Sequence, residues 1–485
     1  MTRSFIFRFL ICALVFASLK VRSEEDVYEI EKKGVVYKFS KEDLEGEHLI
    51  LNSFDVFEHV KDEQGIAIDL GAWIGGAAIW LSKNFHHVIA VEADKNSLES
   101  LSKHLKASSC SNVTLCPYPV ADVHKDVIFG PRWGKLNDSI SYIKSQSDHP
   151  QDYVVKSLTF KQILFDYIYS NDLISSKKIA FIKCDIKGGE EDILEDVLHF
   201  AYYNKVPVYM SFHLHWWKSK KISDFEYLFK FFSNNCLSDD ICSYIKAHPL
   251  CSLLFTPKED AGILVKKNMT AVVIGYNQPT YIKKMVRQLE KYTSDIVVVD
   301  NNSNNSSLLD YYRNCFKYTL LRMSSNTGSI VYQSDFVQKL VGDIYLLTDP
   351  DLQFNPDLPE CFIEDLINIS NHFESSKVGF ALLIDTDDLR TDVTFREQSI
   401  QEWESAFWIY PLFYPPGPYL ELYEADVDTT FCLINRRHHG PHIRVAGDYT
   451  SKHLPWHVNF KDMLEEGEYE GYQPKEHSSC WFLPN

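Results

Sequence analysis

Apolar positions along the chain fall into short unbroken runs, set apart by segments where apolar residues recur at helical spacing. The first series comprises Ile66–Leu70 (IAIDL), a helical stretch around Ala77–Asn84, Val88–Ala93 (VIAVEA) and a second helical stretch over Asn96–Lys106. It continues with Ile179–Ile186 (IAFIKCDI) and Val206–Phe212 (VPVYMSF). Continuous apolar strands alternating with helices predict a parallel sheet covered on both faces. Two short strands, Ser252–Phe255 and Ala261–Lys266, close the region at hairpin spacing. The pattern then starts afresh with Thr270–Asn277 (TAVVIGYN), Ile296–Ser303 (IVVVDNNS) and Asp343–Asp351 (DIYLLTDPD). No Pro/Ser-rich linker separates the two series, so the expectation is two doubly wound α/β domains, residues 24–267 and 268–485.

The start of the chain reads differently. Arg3 and Arg8 precede an uncharged apolar run from Phe9 to Leu19, shorter than the ~20 residues a spanning helix needs. Val21 and Ser23 suit cleavage before Glu24, so residues 1–23 read as a secretory signal peptide, or as a short signal anchor with membrane contact only if retained. The longest later uncharged stretch, Ser405–Leu420, contains Pro411, Pro415, Pro416 and Pro418, which no helix tolerates.

Composition narrows the class. With 45% hydrophobic and 24% charged residues and only 20 Gly and 19 Pro, the chain is neither collagen-like, nor largely disordered, nor a disulfide miniprotein. Its net charge is −18, and removing the leader takes away four positive residues and no acid. No Lys/Arg run stands out, so nucleic acid is not an expected partner. The cysteines lack C-x-x-C pairs, which disfavours zinc; pairing among Cys236, Cys242 and Cys251 is open in an oxidising lumen. Sequons at Asn112, Asn137, Asn268, Asn301, Asn304, Asn305 and Asn368 agree with passage through the secretory pathway, the ER/Golgi lumen or secretion.

The first half carries Asp69-Leu-Gly71-Ala-Trp-Ile-Gly75-Gly76 where a strand gives way to a helix. Gly71 and Gly75 let the backbone turn tightly and approach a ligand, and a Cβ at Gly71 is expected to crowd that ligand. Glu92, at the end of the next strand, is placed to accept from ribose hydroxyls. The spacing D-x-G-x-x-x-G is not G-x-G-x-x-G, which points from NAD toward S-adenosylmethionine. A plain strand–helix turn would also use such glycines. With AVEAD and FIKCDIKGGEEDIL (Phe181–Leu194), these motifs resemble the FkbM-type methyltransferase family over roughly residues 60–215. The resemblance implies a Rossmann-like class I methyltransferase sheet, S-adenosylmethionine as cofactor, and O-methylation of a hydroxyl, often on a sugar. By it, Asp69, Gly71, Gly75 and Glu92 bind the cofactor, while Lys183, Asp185, Gly188 and Glu190 line the active site. The chain departs at Lys187, where the family has an acid, which reverses the charge at the tip of the motif. Asp185 and His213 remain as bases within reach of an acceptor; a packed core histidine is the plainer reading of His213.

In the second half, Asp349-Pro-Asp351 follows the apolar run IYLLT. Two carboxylates at i and i+2 on such a turn can converge on Mn²⁺ or Mg²⁺, which would neutralise a departing diphosphate; alone, the pair reads equally as a solvated turn. AVVIGYNQP, IVVVDNNS, SSNTGS and LLTDPD, in this order, resemble a GT-A glycosyltransferase of the family 2 type over roughly residues 270–355. The resemblance implies a nucleotide-sugar donor and a glycan or glycoconjugate acceptor. It places Tyr276 and Asn277 beside the nucleobase and has Asp300 accept from the uracil or ribose. Asn301 and Ser303 shape the turn, Asn326 and Gly328 border the nucleotide, and Asp349 and Asp351 carry the metal in this D-x-D motif. Asn301 is then expected to be buried and unmodified. An acid after the D-x-D serves as base: Asp428 is preferred, then Asp426, with Glu424 as outsider. His453, and less so His457, are candidates for a third metal ligand. The aromatic stretch FWIYPLFYPPGPY reads as a proline-stiffened packed loop rather than an acceptor wall.

Together these features lead to a secretory enzyme with two activities, sugar transfer and O-methylation, each in a crevice at the carboxyl edge of its own sheet. The alternatives are a glycosyltransferase with an idle methyltransferase scaffold, kept open by Lys187, and a secreted glycan-binding protein.

Overall fold

The computed structural model describes residues 27–32, 34–40, 60–132, 141–171, 174–236, 240–259, 261–262, 264–314, 318–394, 397–414, 420–465 and 468–471. The signal segment, its cleavage site and Asn137 lie outside the described residues. The chain divides into two compact units, the first reaching Gly262 (residues 123–125 excepted) and the second starting at position 263.

In the first unit the apolar runs become β1 (Asp62–Leu70), β2 (Phe85–Val91), β3 (Val113–Cys116), β4 (Ile179–Cys184), β5 (Val208–His213), β6 (Phe232–Asn234) and β7 (Leu250–Pro257). Their order across the sheet is β3-β2-β1-β4-β5-β7-β6. The first five are parallel, and β7 runs antiparallel to both β5 and β6. The strand order turns back between β1 and β4, which opens a crevice at their carboxyl ends. Residues 66–70 and the helix Gly76–Asn84 are buried almost throughout, as continuous apolar runs require. An N-terminal hairpin, Val27–Lys32 with Val35–Ser40, packs Tyr28, Ile30, Tyr37 and Phe39 into the same core as Trp80 and Leu101. The expected hairpin of 252–255 with 261–266 does not form. β7 instead inserts between β5 and β6, pairing from Val208↔Phe255 to His213↔Leu250, a non-local partnership that local spacing does not reveal.

The second unit holds β8 (Ala271–Gly275), β9 (Ile296–Asp300), β10 (Thr319–Arg322), β11 (Ile344–Thr348), β12 (Lys377–Phe380), β13 (Pro411–Leu412), β14 (Leu422–Glu424), β15 (Cys432–Asn435) and β16 (Ile443–Val445). Their order is β10-β9-β8-β11-β15-β12-β16-β14-β13. The first four are parallel, β15 runs antiparallel to β11 and β12, and the order turns back between β8 and β11. Both units are thus α/β sheets with a switch point of their own.

Two further expectations are corrected here. Ile409, Tyr410 and Phe413 are 60%, 67% and 84% exposed while Leu412 and Tyr414 pack against the core, so the described part of the aromatic stretch is packed only in part. It lies by β13, which among the described residues pairs with β14 alone. Cys236, Cys242 and Cys251 do not pair; every described cysteine is free. Among the described residues, no helix is long and apolar enough to cross a membrane.

Candidate functional site

The first crevice opens around the ends of β1 and β4. Asp69 is fully buried and accepts a 2.6 Å hydrogen bond from Lys183 Nζ, which also donates to the Gly71 carbonyl at 2.8 Å. Burial alone would lower the Lys183 amine, but the carboxylates of Asp69 and Asp185 outweigh it and hold its pKa above the ordinary value. The pair thereby locks the turn after β1 to the strand beside it. Gly71 needs its freedom here: φ is 80°, and a Cβ would stand 2.1 Å from the Asp185 carbonyl oxygen. The crowding expected at the ligand therefore falls on the neighbouring loop's backbone. Gly75, the residue before the helix Gly76–Asn84, would press a Cβ against Leu101 Cδ1 at 2.7 Å.

Glu92, just past β2, accepts from the N–H groups of Trp73 and Asp94, each at 2.7 Å. Burial, aided by the Asp94 charge and opposed by these hydrogen bonds, pushes its pKa up to about 7. Gly71, Trp73, Glu92, Lys183, Asp185 and His213 are among the residues lining a cavity of ≈ 460 Å³, within the range of small-ligand sites.

The loop after β4 is organised by acids of the helix Glu190–Asn204, whose first turn carries Glu190, Glu191 and Asp192, well placed at a helix N-terminus. Glu190 is fully buried. Its carboxylate accepts from the N–H of Ile186 (3.2 Å) and Gly188 (2.8 Å) and meets His213 Nδ1 at 2.9 Å. Lys187 has φ 55°, a left-handed conformation costing a non-glycine residue about 1 kcal/mol. Its ammonium lies 2.6 Å from Asp185 Oδ1 and 3.4 Å from His213 Nε2. Burial would raise the Asp185 carboxyl, but Lys187, Lys183 and His213 together hold it at about 2. His213 is buried and stacked on Trp216 with centroids 5.0 Å apart.

In the second unit, the loops at the ends of β8, β9 and β10 are stitched together by the residues expected at the nucleotide. Asn277 accepts from the N–H groups of Asn304 and Asn305, and its own N–H reaches Ser303 Oγ at 2.9 Å. Asp300 is fully buried and takes the Ser303 N–H (3.0 Å) and the Tyr312 hydroxyl (3.1 Å), its pKa raised by burial. Asn301 is buried and donates to the Gly328 carbonyl at 2.8 Å, while Asn326 accepts from the Gly328 N–H. Tyr276 is half-buried beside them. Asn112 likewise spends its side-chain amide on the carbonyls of Ser82, Phe85 and His86.

Asp349 follows β11 directly and accepts the Thr429 hydroxyl at 2.7 Å. Burial and the facing charges of Asp351 and Asp428 push its pKa up to about 8. A two-residue ladder, Leu352–Gln353 with Lys452–His453, brings His453 from far along the chain. Its Nε2 stands 3.6 Å from Asp351 Oδ1, and burial lowers its pKa. The ligand atoms of Asp349, Asp351 and His453 do not all lie within 4.8 Å of one another; a divalent cation drawing the two carboxylates and the imidazole together would relieve the repulsion that raises Asp349. His457 does not join them; it turns to Asp388 at 3.0 Å. Asp428 acts on both Asp349 and His453 electrostatically. The Asp426 side chain is 93% exposed and faces His442 instead, and Glu424 is exposed on β14.

Residues 270–372 match the sequence model of glycosyl transferase family 2. The second unit holds a domain of that family. No curated protein matches the chain. Solved structures resembling it include an rRNA methylase from Streptococcus thermophilus (14% identity, 43% of this chain and 95% of that one, TM-score 0.26). Another is the methyltransferase FkbM from Methylobacillus flagellatus KT (14%, 45% and 55%, TM-score 0.25). A third is TYW2 from M. jannaschii with AdoMet (10%, 49% and 90%, TM-score 0.23). At such scores the reading of the first unit rests on its own crevice.

Beyond the matched residues, sequence reasoning passed over Thr429 and Lys377. Lys377 donates to the carbonyls of Val427 and Asp428 and so fixes the segment bearing the preferred base. In the first unit it missed the wall of the cavity, where Arg132 stacks over Tyr142 (3.9 Å) and Trp216 (4.7 Å). Tyr142 belongs to a small antiparallel sheet, Asp126–Gly130, Tyr142–Lys144 and Tyr153–Lys156, whose short strands carry no distinctive pattern.

Proposed function

We propose that this chain is a glycan-modifying enzyme of the secretory pathway with two sites. The second unit transfers a sugar from a nucleotide-sugar donor, with Asp349, Asp351 and His453 holding Mn²⁺ or Mg²⁺. When bound, that ion would neutralise the leaving diphosphate. Tyr276, Asn277, Asp300, Asn301, Asn326 and Gly328 border the donor, and Asp428 deprotonates the acceptor hydroxyl. The first unit binds S-adenosylmethionine, the methyl donor, through Gly71 and Glu92, with the Asp69–Lys183 pair fixing the loop that borders it. It O-methylates a sugar hydroxyl beside Asp185 and His213. The observation carrying this reading is that, in both units, the chemistry-bearing side chains gather at the switch point of the sheet, where open α/β sheets bind ligands.

Calorimetric titration with S-adenosylmethionine, and with a panel of nucleotide sugars plus Mn²⁺, tests both halves. Binding in both supports the two-site enzyme. A second reading, a glycosyltransferase whose first unit is a scaffold, is favoured by the Lys187–Asp185 ion pair where the resembling family has an acid; silence toward S-adenosylmethionine alone would establish it. Silence in both would leave a glycan-binding protein.

A further inference from the structure

Among the described residues, Asp185, Glu190 and His213 form the one set of three acid, His or Cys side chains whose ligand atoms all lie within 4.8 Å of one another. Three such ligands around open space would hold a divalent cation. The space here contains a cation already, because Lys187 Nζ sits 2.6 Å from Asp185 Oδ1 and 3.4 Å from His213 Nε2. All four residues belong to one tip: the loop after β4, the start of the following helix, and the end of β5. Asp185, Lys187 and His213 line the cavity.

We propose that the Lys187 ammonium is the resident cation of this site. It anchors the acceptor's hydroxyl oxygen and offsets the charge that oxygen acquires, as a metal ion between the same ligands would. The inference rests on reading the first crevice as a methyl-transfer site. Glu190 is a positioning residue. A carboxylate only accepts, so His213 Nδ1, 2.9 Å from Glu190 Oε1, carries the hydrogen. With Nδ1 held by Glu190, Nε2 is the nitrogen that faces Lys187. The acceptor's proton passes to that nitrogen as its oxygen takes the methyl group, and the electron pair of the broken carbon–sulfur bond stays on sulfur. An acid at position 187 would have added negative charge to Asp185 and Glu190 and left the cluster in need of an ion. Lysine reverses that sign and supplies the ion covalently. The reversal is therefore a substitution of one kind of cation for another, and the departure from the family motif keeps the site chemically complete.

The test uses Mn²⁺ alone, followed by electron paramagnetic resonance, in full-length protein carrying Asp349→Asn and Asp351→Asn to silence the second unit. With Lys187 present the first unit takes up no Mn²⁺, and Lys187→Arg stays silent as well. Lys187→Gly, which suits the left-handed backbone, binds one Mn²⁺ per chain, and adding His213→Ala removes it. Lys187→Met, checked for folding by far-UV circular dichroism, repeats the gain. Uptake of Mn²⁺ at Asp185 and His213 while Lys187 is present, or no uptake by either folded variant, overturns the proposal. S-adenosylmethionine calorimetry on the same proteins tells the two readings apart: no cofactor binding by any of them, with Lys187 present or replaced, together with gained Mn²⁺ refutes the methyl-transfer reading and leaves the cation assignment standing.

Discussion

Metal binding to the second unit should release a proton. Asp349 has its pKa pushed up to about 8 by burial and by Asp351 and Asp428, so at pH 7 about nine-tenths of the chains carry a proton there. A divalent cation needs the carboxylate, and its apparent affinity falls by the factor 1 + 10^(pKa − pH). That factor is about 2 at pH 8, about 11 at pH 7 and about 100 at pH 6, so acidifying from pH 8 to 6 weakens binding about 50-fold, or ~2.3 kcal/mol. Burial lowers the His453 pKa below the ordinary histidine value, which favours the neutral, ligating imidazole. The neighbours set the midpoint. Thr429 donates to Asp349 Oδ2 and favours the charged form; Thr429→Val should move the midpoint up and weaken binding at pH 7. Asp428→Asn removes a repelling charge and should move it down.

Calorimetry of Mn²⁺ in buffers of differing ionisation enthalpy measures both the affinity and the protons released, with Asp349→Ala/Asp351→Ala as the blank. About one proton per Mn²⁺ at pH 7 and a steep decline below pH 8 are expected. A flat affinity from pH 6 to 8 with no proton release would mean that Asp349 is not a ligand, or that its carboxylates do not face one another, and the metal reading would fall.

Three further outcomes are expected. Glu92 titrates at about 7, and ribose hydroxyls bind its charged form, so S-adenosylmethionine should bind about tenfold more tightly at pH 8 than at pH 6; Glu92→Gln should lose that dependence, and a wild-type profile in the variant would refute the assignment. Gly71→Ala drives a Cβ to 2.1 Å from the Asp185 carbonyl and should cost about 2–4 kcal/mol of stability, read as a lowered melting temperature, whereas unchanged melting with lost cofactor binding would return the crowding to the ligand. Asp349→Ala/Asp351→Ala should abolish sugar transfer and leave any methyl transfer intact; loss of both would contradict two separate sites.

Much of this architecture is legible in the residues, and the reason is physical. Strands buried on both faces must be apolar throughout, so Ile66–Leu70, Val297–Val299 and Ile344–Leu347 announce themselves without any partner in view. Residues that end such strands, Asp69, Asp185, Asp300 and Asp349, inherit their place at the crevice from the strand itself. What depends on distant pairing is hidden. His453 and His457 stand four apart in one segment, and only the two-residue ladder opposite Leu352 turns the first toward Asp351 while the second meets Asp388. Asp426 and Asp428 are alike in sequence, yet only Asp428 adds its charge to the Asp349 cluster. The stack of Arg132 on Tyr142 and Trp216 joins an insertion to a loop far along the chain, with no periodic signal at either end.

The two crevices meet the same electrostatic demand in opposite ways. Each concentrates acids at the end of a parallel strand, where the proposed reactions would develop negative charge. In the first, every acid at the strand ends has a covalently attached cation or backbone donors: Lys183 on Asp69, Lys187 on Asp185, and two N–H groups on each of Glu92 and Glu190. Asp185 is accordingly held at about 2. In the second, Asp349 has one hydroxyl and faces two further carboxylates, with Lys377 contributing only at a distance, and its pKa rises to about 8. A site that satisfies its own acids has no need of a diffusible ion, while one that leaves them in mutual repulsion acquires affinity for such an ion from the repulsion it relieves. Sensitivity to a chelator is therefore expected of the second unit and not of the first.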